Sequence, residues 1–173
     1  MAVAIKNLGY EKVVIYNGGL KDWMKSGLPT ESIDPLPRYK GKWIGVEELK
    51  ATLSNAMATN CLGADNKTMV TVIDFRSSLQ LKERKGGDQY QIMTNCPIKT
   101  VLLDDFIDNK TLIESIPKEG LVVTISETGN RDTYLIRYLN KFGYTNVVGL
   151  QFGMRVWLKK DYPTKKVKSR LEE

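Results

Sequence analysis

A short apolar run, followed at once by a polar loop and an amphipathic helix, places the strongest constraint on the fold of this chain. Residues 121–125 (LVVTI) have the composition of a buried parallel strand. Apolar and aromatic residues then recur at helical spacing, at Tyr134, Leu135, Tyr138, Leu139 and Phe142. Residues 126–131 must therefore turn the chain sharply, and Gly129 gives the backbone the freedom that this turn needs. Such a loop directs backbone N–H groups and a helix N-terminus toward one point, which predicts an anion-binding site.

With one exception, the residues of this loop are those of a known active site. Ser126-Glu-Thr-Gly-Asn-Arg131, between a strand and a helix, resembles the Cys-x-x-Gly-x-Arg signature of the rhodanese sulfurtransferases. The resemblance implies that Ser126 and Arg131 occupy catalytic positions, with Ser126 where the family keeps its nucleophilic cysteine. It also implies an anion-binding loop of six consecutive residues: Ser126, Glu127, Thr128, Gly129, Asn130 and Arg131.

A serine at position 126 is expected to abolish sulfur transfer. The family's cysteine attacks as a thiolate and carries sulfur as a persulfide, whereas a hydroxyl is far less acidic and the chain has no histidine to act as base. An oxygen also cannot hold sulfur in an S–S linkage. The Ser126→Cys variant is expected to have a thiol of lowered pKa, because the loop dipoles and Arg131 favour the thiolate. Glu127 opposes an anion unless Arg131 compensates, and the four residues between positions 126 and 131 are one fewer than the similar phosphatases need.

Strand and helix patterns alternate along most of the chain. Strands are predicted at residues 70–74, 101–103, 121–125 and 147–150, and helices after residue 46, at 111–116, up to residue 142 and at 154–159, with a polar helix or loop at 79–91. This order predicts an α/β fold, and the resemblance makes it a rhodanese-like three-layer fold with a mostly parallel central sheet and helices on both faces. The strand at 70–74 ends in Asp74-Phe-Arg76, as the family's second strand does. That likeness implies a supporting role for Asp74 and Arg76, and a structural ion pair explains them more simply than catalysis.

Two segments of the chain repeat one pattern. Glycine, tyrosine, valine, tryptophan, proline and threonine recur in one register in residues 9–30 and 143–164, each pair 134 positions apart. Each copy is predicted to hold the end of a helix, a strand (Val13–Ile15 in the first copy) and a second helix. The pattern resembles the closing segment of a rhodanese domain, with the Gly-Gly-x-x-x-Trp-x-x-x-Gly-x-Pro residues at Gly18, Gly19, Trp23, Gly27 and Pro29.

The repeat predicts the domain organisation. Residues 1–33 are interpreted as the C-terminal remnant of a preceding rhodanese-like domain, residues 34–41 as a proline-containing linker, residues 42–165 as the rhodanese-like domain and residues 166–173 as a charged tail. The loop that would match residues 126–131 in the first copy falls before Met1, so we expect an upstream domain. The alternative is a native helical arm that only resembles the motif.

Composition narrows the chemistry. The chain has no histidine, which excludes Ser-His-Asp and Cys-His catalysis within it, and no cluster of metal ligands, so neither a metal nor a cofactor is predicted. Cys61 and Cys96 form no Cys-x-x-Cys pair and are interpreted as incidental or partly buried thiols. No apolar run is long enough to cross a membrane and no export signal is visible, which favours a soluble cytoplasmic protein. A periplasmic protein is the alternative if the natural N-terminus lies upstream.

The net charge of +6 would attract small anions, while the basic end of the chain (Lys165, Lys166, Lys168 and Arg170) is interpreted as a frayed terminus. Three functions follow. The first is a non-catalytic rhodanese-like domain of a tandem protein, with an anion-binding or scaffold role. The second is an active thiosulfate or polysulfide sulfurtransferase whose cysteine was changed or lies upstream, so the chain's standing as an enzyme is uncertain. The third is a basic nucleic-acid-binding module, which no aromatic stacking motif supports.

The expected partners are a small anion such as thiosulfate or a persulfide donor, and an upstream rhodanese domain or a second copy of the chain.

Overall fold

The computed structural model describes residues 2–31, 36–76 and 89–167, and it divides the chain into two units, residues 1–35 and 36–173. No helix among these described residues is long and apolar enough to cross a membrane.

The first unit contains two short helices, α1 (Ala2–Asn7) and α2 (Gly19–Lys25). The strand predicted at Val13–Ile15 is wrong, because these residues are assigned to no strand. A strand needs a hydrogen-bonded neighbour, and the described part of the first unit contains none.

The second unit is built on a five-stranded parallel sheet with the strand order β1-β6-β5-β2-β4. Its strands are β1 (Lys42–Ile44), β2 (Val70–Asp74), β4 (Ile98–Thr100), β5 (Leu121–Ile125) and β6 (Val147–Leu150). Asp74 and Ile125 are paired in the register of β2 with β5. The segments that follow these two strands therefore leave the sheet side by side.

Helices cover both faces of this sheet, which confirms the predicted α/β architecture. The helices are α3 (Val46–Met57), α4 (Leu103–Asp108), α5 (Lys110–Glu114), α6 (Asp132–Lys141) and α7 (Gly153–Lys159). One apolar core joins α3 and α7 to one face of the sheet through residues such as Leu49, Trp157 and Val123. A second core joins α4, α5 and α6 to the other face through Phe106 and Leu135. Burial of both faces explains why the central strands are almost continuously apolar.

A separate antiparallel pair joins β3 (Gln89–Ile92) to β7 (Thr164–Val167). Lys165 and Lys166, assigned from the sequence to a frayed basic end, lie in β7, where Lys165 is the register partner of Gln91. The predicted helix or loop at residues 79–91 falls mostly outside the described residues, and its last three residues belong to β3. Lys168 and Arg170 also lie outside the described residues.

The strand predicted at residues 101–103 is wrong by three positions. The strand is Ile98–Thr100, whose pairing with β2 begins where the Val72 N–H donates to the Pro97 carbonyl at 2.9 Å. Leu103 instead begins α4. Residues 98–100 are only half-buried at the edge of the sheet, whereas Val101 is buried in the core. The apolar pattern therefore indicated the buried residue Val101 and did not indicate the hydrogen-bonded strand β4, which precedes it.

Cys61 and Cys96 form a disulfide, which corrects their interpretation as free thiols. Their Cα atoms lie 5.1 Å apart, and the bond ties the turn after α3 to the segment before β4. The fold brings these segments together from positions 35 residues apart, a proximity that cysteine spacing alone does not reveal.

The repeat of the sequence is also a repeat of local structure. Helices α2 and α7 have seven residues each and are displaced by the same 134 positions as the motif. The Trp23 Nε1–H donates to the Pro29 carbonyl at 2.8 Å, and the Trp157 Nε1–H donates to the Pro163 carbonyl at 3.1 Å. The backbone hydrogen bonds that end the two helices match as well, with Leu28 donating to Trp23 and Tyr162 to Trp157.

Candidate functional site

The loop of residues 126–131 lies at the end of the central strand β5 and leads into α6. It borders a pocket of about 250 Å³ lined by Phe75, Arg76, Ser126, Glu127, Thr128, Asn130 and Arg131, here called the loop pocket. The fold thus brings five of the six predicted loop residues together with Arg76, since the segment after β2 runs beside the loop. The sixth, Gly129, lies in the turn itself with φ of 86°, and a Cβ there would come within 3.0 Å of the Phe152 nitrogen.

Ser126 is held by hydrogen bonds within the protein. Its side chain is 3% exposed, its Oγ accepts from the Gly129 N–H at 2.9 Å, and its hydroxyl donates to the carboxylate of Asp132. A hydroxyl has one proton to donate, and here that proton is committed to Asp132.

Asp132 is the functional residue that the sequence analysis missed. It is the first residue of α6, is completely buried, and accepts a second hydrogen bond at 2.6 Å from the Thr124 hydroxyl. Burial raises the pKa of Asp132 from 3.8 to about 6, although the hydrogen bonds from Ser126 and Thr124 act in the opposite direction. An acidic residue in the first turn of a helix is ordinarily a solvated partner of the helix dipole. The available signal was the pair of hydroxyl residues at 124 and 126, which alternate onto one face of the strand.

Asp74 and Arg76 form a buried ion pair with two hydrogen bonds. The Arg76 Nε–H donates to Asp74 Oδ1 and the Nη2–H to Asp74 Oδ2, both at 2.8 Å, and Nη2 also donates to the Tyr90 carbonyl at 2.7 Å. The guanidinium therefore lines the loop pocket with its charge already compensated, and it fixes β3 beside the end of β2. This geometry is that of a structural ion pair, the role expected of Asp74 and Arg76 from the sequence.

The loop pocket has two further charged residues of opposite sign, Glu127 and Arg131. Glu127 Oε1 is buried and has no hydrogen-bond partner among the described residues. Arg131 is exposed, and its guanidinium forms no ion pair within the described part of the chain. The N–H groups of Thr128, Asn130 and Arg131 donate to no described residue. The loop pocket is thus lined by one guanidinium and one carboxylate that are not paired with a described residue.

A second pocket, of about 340 Å³, also borders the loop. It is lined by Trp43, Thr128, Gly129, Asn130, Thr133, Gln151 and Phe152 and is here called the aromatic pocket. Thr128 and Asn130 line both pockets. None of the residues that line the aromatic pocket is charged.

Solved structures similar to this chain share its architecture. The BH2092 protein from Bacillus halodurans has a TM-score of 0.51 and 13% sequence identity, covering 86% of this chain and 85% of that one. The rhodanese-like domain of the Alr3790 protein from Anabaena sp. has a TM-score of 0.50 and 16% identity, covering 74% of this chain and 81% of that one. A full-length protein from Lactobacillus plantarum has a TM-score of 0.51 and 15% identity, covering 72% and 88%.

At these identities the likeness is one of fold. No protein-family model matches the sequence, and no curated protein is significantly similar to it. The described residues contain no group of three or more side chains suited to hold a metal ion.

Proposed function

We propose that this chain, which has the rhodanese-like fold, is a non-catalytic domain of a tandem sulfurtransferase-family protein, with a scaffold role and a weak anion site at the loop. One observation carries the proposal: the Ser126 hydroxyl donates to a carboxylate, that of Asp132, which is completely buried.

The contact between Ser126 and Asp132 suits an alcohol and opposes a thiolate. A thiolate in place of the hydroxyl would have no proton to donate and would face a second negative charge at a buried position. A sulfurtransferase needs that thiolate, so Asp132 favours serine as the native residue over a cysteine that was changed. The hydrogen bond from Ser126 to Asp132 therefore argues against the alternative of an active sulfurtransferase site in this chain.

Asp132 also fails to turn Ser126 into a useful nucleophile. A carboxylate with a pKa of about 6 is a weak base for an aliphatic hydroxyl, and Ser126 is almost wholly buried. Even an activated alkoxide would form an S–O bond in place of the persulfide.

The anion-binding part of the proposal rests on the N–H groups of the loop and on Arg131. Thiosulfate or sulfate would receive hydrogen bonds from Thr128, Asn130 and Arg131 at the start of α6. Glu127 opposes this binding, so the expected affinity is low. The tandem arrangement is supported by the matching hydrogen bonds of Trp23 and Trp157, which give residues 23–29 the same local structure as residues 157–163.

The test is sulfur transfer from thiosulfate to cyanide by the purified chain. We expect no turnover above that of a Cys61→Ser/Cys96→Ser control, which lacks both sulfur atoms of the disulfide. Turnover by the wild-type chain that the control lacks would contradict the non-catalytic assignment. Calorimetric titration with thiosulfate tests the anion site separately, and loss of binding in Arg131→Gln is the expected result.

A further inference from the structure

The aromatic pocket displays two aromatic side chains to solvent beside the loop. Trp43 is 43% exposed and Phe152 is 56% exposed, although rings of this size normally contribute most when buried. The Trp43 ring lies against the backbone of Gly149, where a Cβ would come within 2.8 Å of it. The tryptophan is therefore held at a defined place on the sheet while part of its surface stays open.

Phe152 occupies a strained backbone conformation. Its φ of 62° and ψ of 9° lie in the left-handed region, which disfavours a bulky side chain. At the matching position of the first unit the chain has Gly18, so the motif itself does not need an aromatic residue there. A strained and largely exposed phenylalanine is not explained by packing, and such residues are concentrated at binding sites.

The polar groups of the aromatic pocket are uncharged. Asn130 and Gln151 each offer an amide donor beside an amide acceptor, and Thr128 and Thr133 add hydroxyls. Proteins bind unstacked nucleobases with this combination, in which aromatic rings stack on the base and amides read its edge. The volume of about 340 Å³ falls in the range of small-molecule sites. We propose that the aromatic pocket binds a nucleobase, in contact with both Trp43 and Phe152 and read by Asn130 and Gln151.

A base bound there would place its phosphate near the loop. Thr128 and Asn130 line both pockets, so a phosphate attached to the nucleoside could enter the loop pocket beside Arg131. This extension rests on the proposed anion site, whereas binding of the base does not. The ligand is then a free nucleotide or one residue of a single-stranded nucleic acid, which the chain's net charge of +6 would attract.

The experiment uses the full chain with Trp23→Phe, so that Trp43 is the exposed tryptophan that reports binding among the described residues. Adenosine and cytidine are expected to quench its fluorescence saturably. The Phe152→Gly change is expected to lower nucleoside affinity at least about fivefold, the smaller end of a lost stacking contact. Because glycine relieves the strain, its melting temperature should stay equal or rise, which separates binding from folding. Leu158→Ala, an exposed apolar residue of α7 outside the pocket, should bind like the parent.

Each outcome decides one question. No saturable binding of either nucleoside, or equal affinity of the parent and Phe152→Gly chains, overturns the nucleobase site. Competition by glucose or maltose at the same concentration also overturns it in favour of a sugar site. If adenosine binds but its 5′-monophosphate binds no more tightly, the nucleobase site stands and the anion site fails. A gain in affinity for oligoadenylate over the monophosphate identifies a nucleic acid as the source.

Discussion

The Ser126 hydroxyl donates its hydrogen bond to the carboxylate of Asp132, six residues later in the chain, and both side chains are buried. The contact connects the end of β5 to the first residue of α6 across the loop. Position 126, where rhodaneses have their nucleophilic cysteine, therefore has the carboxylate of Asp132 as a neighbour.

The Ser126→Cys variant is expected to have a thiol pKa above the usual 8.5 or so, because ionised Asp132 disfavours a thiolate at contact distance. This reverses the expectation from the sequence, which counted only the loop dipoles and Arg131. Adding Asp132→Asn removes the charge, keeps the shape and should accelerate alkylation at pH 7. The measurement is the iodoacetamide rate as a function of pH. A single variant that reacts as fast as the double variant would show that Asp132 does not act on position 126.

Asp132 should make stability fall as pH rises. Its folded-state pKa of about 6 exceeds the unfolded value of 3.8, so the folded chain binds the proton more tightly. The contribution is fully present below pH 3.8 and is lost as pH rises through 6. Its upper bound is about 3 kcal/mol, at 1.36 kcal/mol for each unit of pKa difference. The free energy of unfolding in urea should fall from pH 4 to pH 7.5 by more in the wild type than in Asp132→Asn. An equal change with pH in the two proteins would contradict the prediction.

Removing the carboxylate of Glu127 should strengthen anion binding. Glu127 lines the loop pocket, and its buried Oε1 has no partner among the described residues. The Glu127→Gln change is expected to raise thiosulfate affinity severalfold, about 1 kcal/mol for a charge pair near a surface. Glu119→Gln makes the same change in net charge at the other end of β5 and should leave the affinity unchanged. An equal gain in both variants would mean that net charge alone is responsible.

Reduction of the Cys61–Cys96 disulfide should destabilise the second unit. The bond closes a loop of 35 residues, and loops of this size typically contribute about 2–4 kcal/mol. Thermal unfolding with and without dithiothreitol should show a lower melting temperature for the reduced protein. The Cys61→Ser/Cys96→Ser protein should melt at that lower temperature in both buffers. A wild-type curve that reductant does not shift would refute the contribution of the bond.

Deletion of residues 1–33 should change solubility or oligomeric state. Leu20 is 67% exposed, and with Tyr16, Trp23 and Pro29 it lines an apolar groove within the first unit. Exposed apolar surface of this kind favours association. Light scattering of the full and shortened chains measures the difference. Leu20→Lys in the full chain removes the apolar side chain without removing the segment and should reproduce the effect of the deletion. If neither the deletion nor Leu20→Lys changes the scattering, residues 1–33 take no part in association.

The sequence predicted the strands and helices in which burial in the core determines the order of apolar and polar residues. Strands β5 and β6 and helix α6 lie in the middle of the domain, where the apolar residues match the hydrogen-bonded elements. The short strand β1 was missed because two of its three residues are exposed and its pairing depends on β6. Asp132 and the disulfide were missed for a related reason, since their partners are defined only by the tertiary fold.

The tryptophan–proline hydrogen bonds have a consequence for the order of folding. Each spans six residues, from Trp23 to Pro29 and from Trp157 to Pro163. Contacts this local close small loops, which form faster than pairings between distant segments such as β1 with β6. The closing segment of the domain should therefore acquire its shape before the sheet is assembled. In the first copy, the hydrogen bond from Trp23 to Pro29 lies within the segment itself and requires no residue of the second unit.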